Sequence, residues 1–169
     1  MVDAPHLDAA VLEARNLSRS FDVSRPALQR LLAGEGKRSL RAVDDISFRI
    51  ERGTTLALVG ESGCGKSTTS MMVMRLLDQT SGRIVFDGDE IGAIMPNSFA
   101  RLPLRKSIQM VFQDPTDSLN PRFTAARAIA DPIMQLSDLR GRDALRARCE
   151  ELATLVGLPV NLLDRFPHQ

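Results

Sequence analysis

The sequence predicts an α/β fold organised around one phosphate-binding loop, and three observations predict it. The stretch Gly60-Glu61-Ser62-Gly63-Cys64-Gly65-Lys66-Ser67-Thr68 has the spacing G-x-x-x-x-G-K-S/T of a P-loop, or Walker A motif. Ahead of it, Thr55-Leu56-Ala57-Leu58-Val59 is a short apolar run that reads as a buried strand. Behind it, Thr68 to Leu77 contains neither Gly nor Pro and reads as a helix. A chance glycine loop would have to match four specified positions when Gly makes up about 7 % of residues in proteins at large. The flanking strand and helix make such a coincidence rarer still.

The chemistry follows from the residue types. Gly60, Gly63 and Gly65 let the backbone take positive φ and wrap a phosphate without Cβ clashes. With Glu61, Ser62 and Cys64 between them, successive N–H groups turn inward as an anion-binding nest. A helix starting near Lys66 adds the positive end of its dipole. Lys66 can reach the β- and γ-phosphates of a nucleotide, and the Ser67 hydroxyl can ligate Mg²⁺, with Thr68 beside it.

Composition narrows the classes. The chain suits one domain or a domain with an appendage. A formal net charge of +1 gives no argument for a nucleic-acid or anionic-membrane surface. No stretch of about 18 uncharged apolar residues occurs, so no transmembrane helix is expected. Met1 to Ala10 carries Asp3, Pro5, His6 and Asp8 and does not read as a signal peptide. Cys64 and Cys149 make no metal-ligand spacing and fit a reducing compartment. Cys64 reads as a small filler of the P-loop that can be alkylated. Trp and Tyr are absent, so an aromatic contact must come from Phe.

In chain order, Val11 to Leu17 reads as a first strand with Phe21 at its end. Asp22 to Ser39 is a polar loop holding Pro26, Gly34 and Gly36, with a short helix at Ala27–Leu32. Arg41 to Ile50 alternates through Val43, Ile46, Phe48 and Ile50 and reads as a strand ending in the Glu51-Arg52-Gly53 turn. The P-loop helix carries Met71, Met72, Val73, Met74, Leu76 and Leu77 and is expected to be buried nearly all round. Arg83 to Phe86 is a strand that turns at Asp87-Gly88. Ile84-Val85-Phe86-Asp87 imitates a Walker B strand, and Asp89-Glu90-Ile91-Gly92 imitates the D-x-x-G of a GTPase. A hairpin whose Asp makes the turn is the simpler reading, and no guanine-reading N-K-x-D occurs. Ser107 to Phe112 is a second buried strand, ending at Gln113-Asp114-Pro115. An amide at the carboxyl end of a parallel strand lies where open α/β sheets bind ligands. Ala125 to Leu136 and Asp143 to Val156 read as two helices, the second with Leu145, Cys149, Leu152, Leu155 and Val156 on one face and Gly157 as its C-cap.

Several of these stretches together resemble the ATP-binding subunits of ABC transporters. They are Arg41-Ala42-Val43-Asp44-Asp45-Ile46-Ser47-Phe48, the P-loop with Leu58 and Val59, Ser81 to Gly88, and Gln109-Met110-Val111-Phe112-Gln113-Asp114-Pro115. Ser118-Leu119-Asn120-Pro121-Arg122 with the Gly-Cys-Gly of the P-loop looks most like the oligopeptide/dipeptide/nickel importer subfamily, second-ATPase type. The resemblance implies an α/β P-loop core with an antiparallel β-subdomain over residues 1–121 and a partial helical subdomain over 122–169. It implies ATP and Mg²⁺ as ligands, with Gln113 touching the metal and the attacking water. It implies that Phe21 stacks on adenine with Val43 alongside. It further implies membrane permease subunits and a second ATPase subunit as partners, at the cytoplasmic face of the cell membrane, and no nucleic acid. In the family a Pro-His-Gln like Pro167-His168-Gln169 is followed at once by a Leu-Ser-Gly-Gly-Gln signature, then Walker B, the catalytic Glu and the switch His. None lies within these residues, so His168 is not the switch histidine. The expectation is therefore an importer ATPase cut inside its helical subdomain. The alternatives are a non-catalytic fragment that only binds nucleotide, and another P-loop NTPase such as a soluble kinase.

Overall fold

The structure, a computed structural model, describes residues 10–24, 26, 29, 34, 36–113 and 118–169. Apart from Gln29, the helix expected at Ala27–Leu32 lies outside them, as does the Asp114-Pro115 end of the second apolar run. The chain divides into two compact units, Met1–Leu104 and Arg105–Gln169.

The first unit is built on a four-stranded antiparallel sheet in the order β2-β1-β3-β4. β1 (Ala10–Asp22) and β2 (Ser39–Glu51) pair along their length, and β3 (Ser81–Phe86) adds to the other edge of β1. Leu12 and Ala14 of β1 are buried, as strand alternation requires. Leu17 is also buried although it falls on the opposite parity. A bulge reconciles them: the register shifts between Ala14 and Leu17, and Asn16 takes φ 49°. Asp45 on β2 takes the same φ of 49°, and Asn16 Nδ2 donates to Asp45 Oδ1 at 2.8 Å, so the two bulges brace each other. The side chains of Leu12, Ala14, Leu17, Val43, Ile84, Ile91, Met72, Met74 and Phe99 form the unit's buried apolar positions.

β3 returns into β4 (Asp89–Glu90) through Asp87 at φ 49° and Gly88 at φ 89°. Two successive positive-φ residues are the type I′ turn that Asp-Gly favours between twisted strands. The hairpin reading is thus correct, and Asp87 is a turn residue bonded by Arg52 Nη2 at 2.5 Å.

Two expected strands are not formed. Thr55–Val59 and Ser107–Phe112 keep their apolar composition but have no ladder partner among the described residues. Val59 and Val111 are 93 % and 96 % exposed. An apolar run becomes a strand only when a neighbour takes its N–H and C=O groups. The sheet is accordingly the antiparallel one, with no parallel pair among the described residues.

In the second unit, α3 (Ala125–Leu136) and α4 (Arg142–Leu155) pack as a hairpin; a short helix at Pro96–Phe99, α2, belongs to the first unit. Cys149, Ala153 and Leu163 form the buried centre, with Ala126, Ile129 and Ile133 against them. Burial pushes the Cys149 thiol up, so it stays a neutral core group. Both helices are capped as their sequences suggest. Thr124 Oγ1 accepts from Arg127 N at 3.3 Å at the start of α3. Gly157 at φ 77° ends α4, with Gly157 N donating to Thr154 O and Leu158 N to Ala153 O, a Schellman closure. The first N–H groups of α3 go to the 163–165 segment: Ala125 N to Arg165 O and Ala126 N to Leu163 O. Arg146 closes the same seam by holding Glu150 Oε1 at 2.7 Å and Asp164 Oδ1 at 2.6 Å, which lowers the Asp164 pKa.

Candidate phosphate site

The P-loop lies in the first unit, between the 54–59 run and α1 (Lys66–Val73). Gly63 and Gly65 take φ of 82° and 97°, the left-handed region in which a side chain is strained. Gly60 does not share that conformation, and its constraint is different. A Cβ there would stand 2.6 Å from Cys64 Sγ, the tip of an exposed side chain, so a larger residue would have to displace that thiol. At Gly65 both constraints apply: a Cβ would meet Ala42 O at 2.4 Å and Val43 Cγ2 at 3.2 Å. The loop therefore packs backbone-to-backbone on β2, and that contact fixes where α1 begins.

Lys66 is the first residue of α1. Its Nζ donates to Gly60 O at 2.8 Å and Glu61 O at 2.7 Å and lies 3.4 Å from Cys64 Sγ. The ammonium is thus drawn over the loop, where the positive end of the helix dipole also falls. Ser67 is exposed in the first turn of α1, and Thr69 is buried with its Oγ1 on Gly65 O at 3.0 Å. A cleft of about 390 Å³ opens between the loop and β2, lined by Arg41, Val43, Asp44, Leu58, Cys64 and Lys66 among others. A cation held over the loop, the left-handed Gly63 and Gly65 and the start of α1 make an arrangement at this cleft suited to an anionic phosphate chain.

The remaining candidates are distributed unevenly. Val43 is buried and faces Gly65. Phe21 is half-buried near the end of β1, opposite Leu40 of β2. Gln113 belongs to the second unit and is exposed at a bend after the 108–112 run.

α1 is shorter and less enclosed than its apolar sequence suggests. It stops at Val73, Thr69 and Met72 are its buried residues, and Met71 and Leu76 are half-exposed. The helix end is marked by Arg75, which sequence reasoning missed. Arg75 takes φ 54°, ending the helix, and its side chain is fully buried. It donates to Asp78 Oδ1 at 2.6 Å, Gln79 Oε1 at 2.6 Å and Ile94 O. Gln79 Nε2 continues the network to Gly92 O at 2.8 Å. Arg75 thereby ties the end of the P-loop helix to the segment after β4. Arg75→Ala leaves Gln79 Oε1 and Ile94 O without their donor in a part-buried setting. It is expected to cost about 2–4 kcal/mol of stability, read as a fall in the urea midpoint. A shift under about 0.5 kcal/mol, the usual surface value, would show that the network is dispensable.

The ABC transporter family matches residues 43–168. A Brucella abortus protein named for peptide import and ATP binding is 44 % identical over 160 residues, covering 94 % of this chain and 45 % of its own length. The oligopeptide transport ATP-binding protein AppF of Bacillus subtilis is 38 % identical over 161 residues, covering 94 % and 46 %. The chain thus spans less than half the length of these relatives. Among solved structures, the ATP-binding cassette MJ0796, in a dimeric post-hydrolysis state bound to ADP and Pi, matches with a TM-score of 0.75 at 18 % identity, over 94 % of this chain and 62 % of that one. That likeness bears on the fold, which is the α/β P-loop fold of ABC cassettes.

Proposed function

The chain belongs to the ABC transporter family of ATP-binding proteins, and on that footing we propose that it is the nucleotide-holding part of an importer ATPase subunit that drives uptake of peptides or a related solute. The observation that carries the proposal is the P-loop cradle seated on β2, with the Lys66 ammonium drawn over it. The relatives' names, all of peptide or oligopeptide transport, support the solute class.

In this reading the backbone of Gly60 to Gly65 binds the phosphate chain and Lys66 offsets its charge. Ser67 and Gln113 would hold Mg²⁺, which supplies charge neutralisation at the phosphates. Gln113 also orients the attacking water. Phe21 stacks on the base, with Val43 forming the wall behind the P-loop. Residues 1–121 make the nucleotide-binding core with its β-subdomain, and 122–169 part of a helical subdomain that passes motion to permease subunits. A second ATPase subunit completes the site, at the cytoplasmic face of the cell membrane. No helix among the described residues is long and apolar enough to cross a membrane, which suits a subunit held there by partners. One observation favours a narrower second reading, in which these residues alone bind nucleotide without turning it over: the two apolar runs, 55–59 and 107–112, that have no ladder partner among the described residues.

The test is ATP-dependent uptake of a labelled oligopeptide into vesicles carrying the complete subunit with its permease partners. Uptake should stop with Lys66→Ala; uptake that continues would remove the proposal. In the same preparation Gln113→Ala should lower turnover about ten- to a hundredfold through a misplaced water while leaving ATP affinity within about threefold. A large loss of affinity with turnover per bound ATP unchanged would contradict the role given to Gln113.

A further inference from the structure

Arg19 is unaccounted for by the site as described. It stands two residues before Phe21 on β1, and its Cζ lies 4.5 Å from the Phe21 ring centroid, inside cation–π range. Its Nη1 donates to Asp78 O at 2.9 Å, and its Nε is buried without a hydrogen-bond partner. A buried donor left unpaired is a cost. The side chain accepts that cost in a pose that serves two contacts, the Phe21 ring and Asp78. Asp78 is also the residue whose carboxylate binds Arg75 at the end of the P-loop helix. The backbone beneath is fixed independently: Thr80 N donates to Ser18 O at 2.8 Å and Ser20 N to Thr80 Oγ1 at 2.9 Å. In register, Arg19 lies opposite Val43, which faces Gly65 of the loop.

From this arrangement we propose that Arg19 is a positioning residue for nucleotide-base binding, clamping the Phe21 ring from one face so that a purine stacks on the other. The inference rests on the reading of Phe21 as the base-stacking residue. Three effects follow from the geometry. The guanidinium covers one face of a half-buried ring, leaving a single stacking orientation. Held by Asp78 O, it limits rotation of the ring before the base arrives, so less ordering remains to be done on binding. A cation on one face draws π-density toward itself, and the opposite face then repels the electron-rich purine less. The chain Arg75–Asp78–Arg19–Phe21 joins the end of the P-loop helix to the base platform, so the phosphate and base ends of the site share one scaffold.

The experiment measures binding of ATP and of inorganic tripolyphosphate, each displacing a ribose-labelled fluorescent ATP analogue from the chain in the presence of Mg²⁺. Arg19→Met, which keeps an apolar stem and removes the cation, should weaken ATP about three- to tenfold and leave tripolyphosphate unchanged. Phe21→Ala should do the same, and adding Arg19→Met to it should cost nothing further. Arg19→Lys, which keeps the charge without the planar fork, should fall between wild type and Arg19→Met. Equal loss on both ligands would mean a structural role only and would overturn the proposal. A loss with Phe21→Ala but none with Arg19→Met would overturn it while leaving the base-stacking reading intact. No loss from either, with Lys66→Ala still abolishing binding, would remove that reading and the proposal with it. If Arg19→Met fails to melt cooperatively, Arg19→Lys decides by the same criterion: loss on ATP alone supports the clamp, and equal loss or none overturns it.

Discussion

Lys66→Ala should weaken the binding of ATP by two orders of magnitude or more. Lys66 Nζ stands 2.8 Å from Gly60 O and 2.7 Å from Glu61 O, so the ammonium is already poised over the cradle when the loop is satisfied by its own carbonyls. A phosphate chain entering the cradle replaces neutral acceptors with charged ones. Hydrogen bonds to charged groups contribute about 1.5–3 kcal/mol each, and two of them, less the carbonyl contacts given up, amount to about 3 kcal/mol, or some 150-fold. The truncation strands little in exchange, because Gly60 and Glu61 are exposed and water can take their carbonyls. Folding should therefore survive, and the loss should be the same for ATP and for inorganic tripolyphosphate, since the contact is with phosphate alone. Equilibrium titration with a labelled ATP analogue, with a thermal melt as control, measures it. Equal binding by wild type and Lys66→Ala would mean that the loop holds no specific phosphate site.

What the sequence discloses here divides along the range of the interaction concerned. The Asp87-Gly88 turn, the Gly157 cap and the helix at Ala125–Leu136 depend on residues within a few positions, and all three stand where local chemistry puts them. β1 and β2 were recognisable from alternation, but the structure extends both, to Ala10–Asp22 and Ser39–Glu51, because pairing carries a strand past its apolar centre. The runs at 55–59 and 107–112 show the converse. Their composition is that of core strands, yet strand formation depends on a neighbour, which composition does not report. The P-loop was legible as a motif, while the separate reasons for its glycines were not. Gly60 lies against Cys64 Sγ, a contact between residues four apart that only the folded loop creates, while Gly65 is held by the Ala42 carbonyl. Arg75 and Arg19 left no signal at all. One arginine in an apolar helix reads as a solvated residue, and one in a strand as an exposed charge. Their backbone acceptors, Ile94 O and Asp78 O, lie 19 and 59 residues away.

Phosphate release from these 169 residues, incubated with Mg²⁺ and ATP, should not exceed that of their Lys66→Ala form. Grip and catalysis separate cleanly at this site. The cradle holds the phosphates and offsets part of their charge, but hydrolysis also needs a water aimed in line and the metal shell completed. The acid nearest in sequence to a Walker B pattern is Asp87, and the structure commits it elsewhere. It occupies the turn between β3 and β4, its carboxylate is held by Arg52 at 2.5 Å, and its own N–H donates to Val11 O at 2.9 Å. Asp87→Asn should accordingly leave ATP affinity unchanged. Gln113, the residue assigned to the water, follows a run that no neighbouring strand holds in place among the described residues. An amide on an unpaired segment orients a water poorly even when the phosphates are bound. Each factor of ten in rate corresponds to about 1.4 kcal/mol of barrier, and losing both the acid and the fixed water removes several such factors. ATP bound and not consumed is thus the expected state, with affinity abolished by Lys66→Ala and release at background in both forms. Robust release that disappears with Lys66→Ala would show instead that these residues assemble a complete hydrolytic site. The search for its acid would then begin with the carboxylates lining the cleft against β2, of which Asp44 is one.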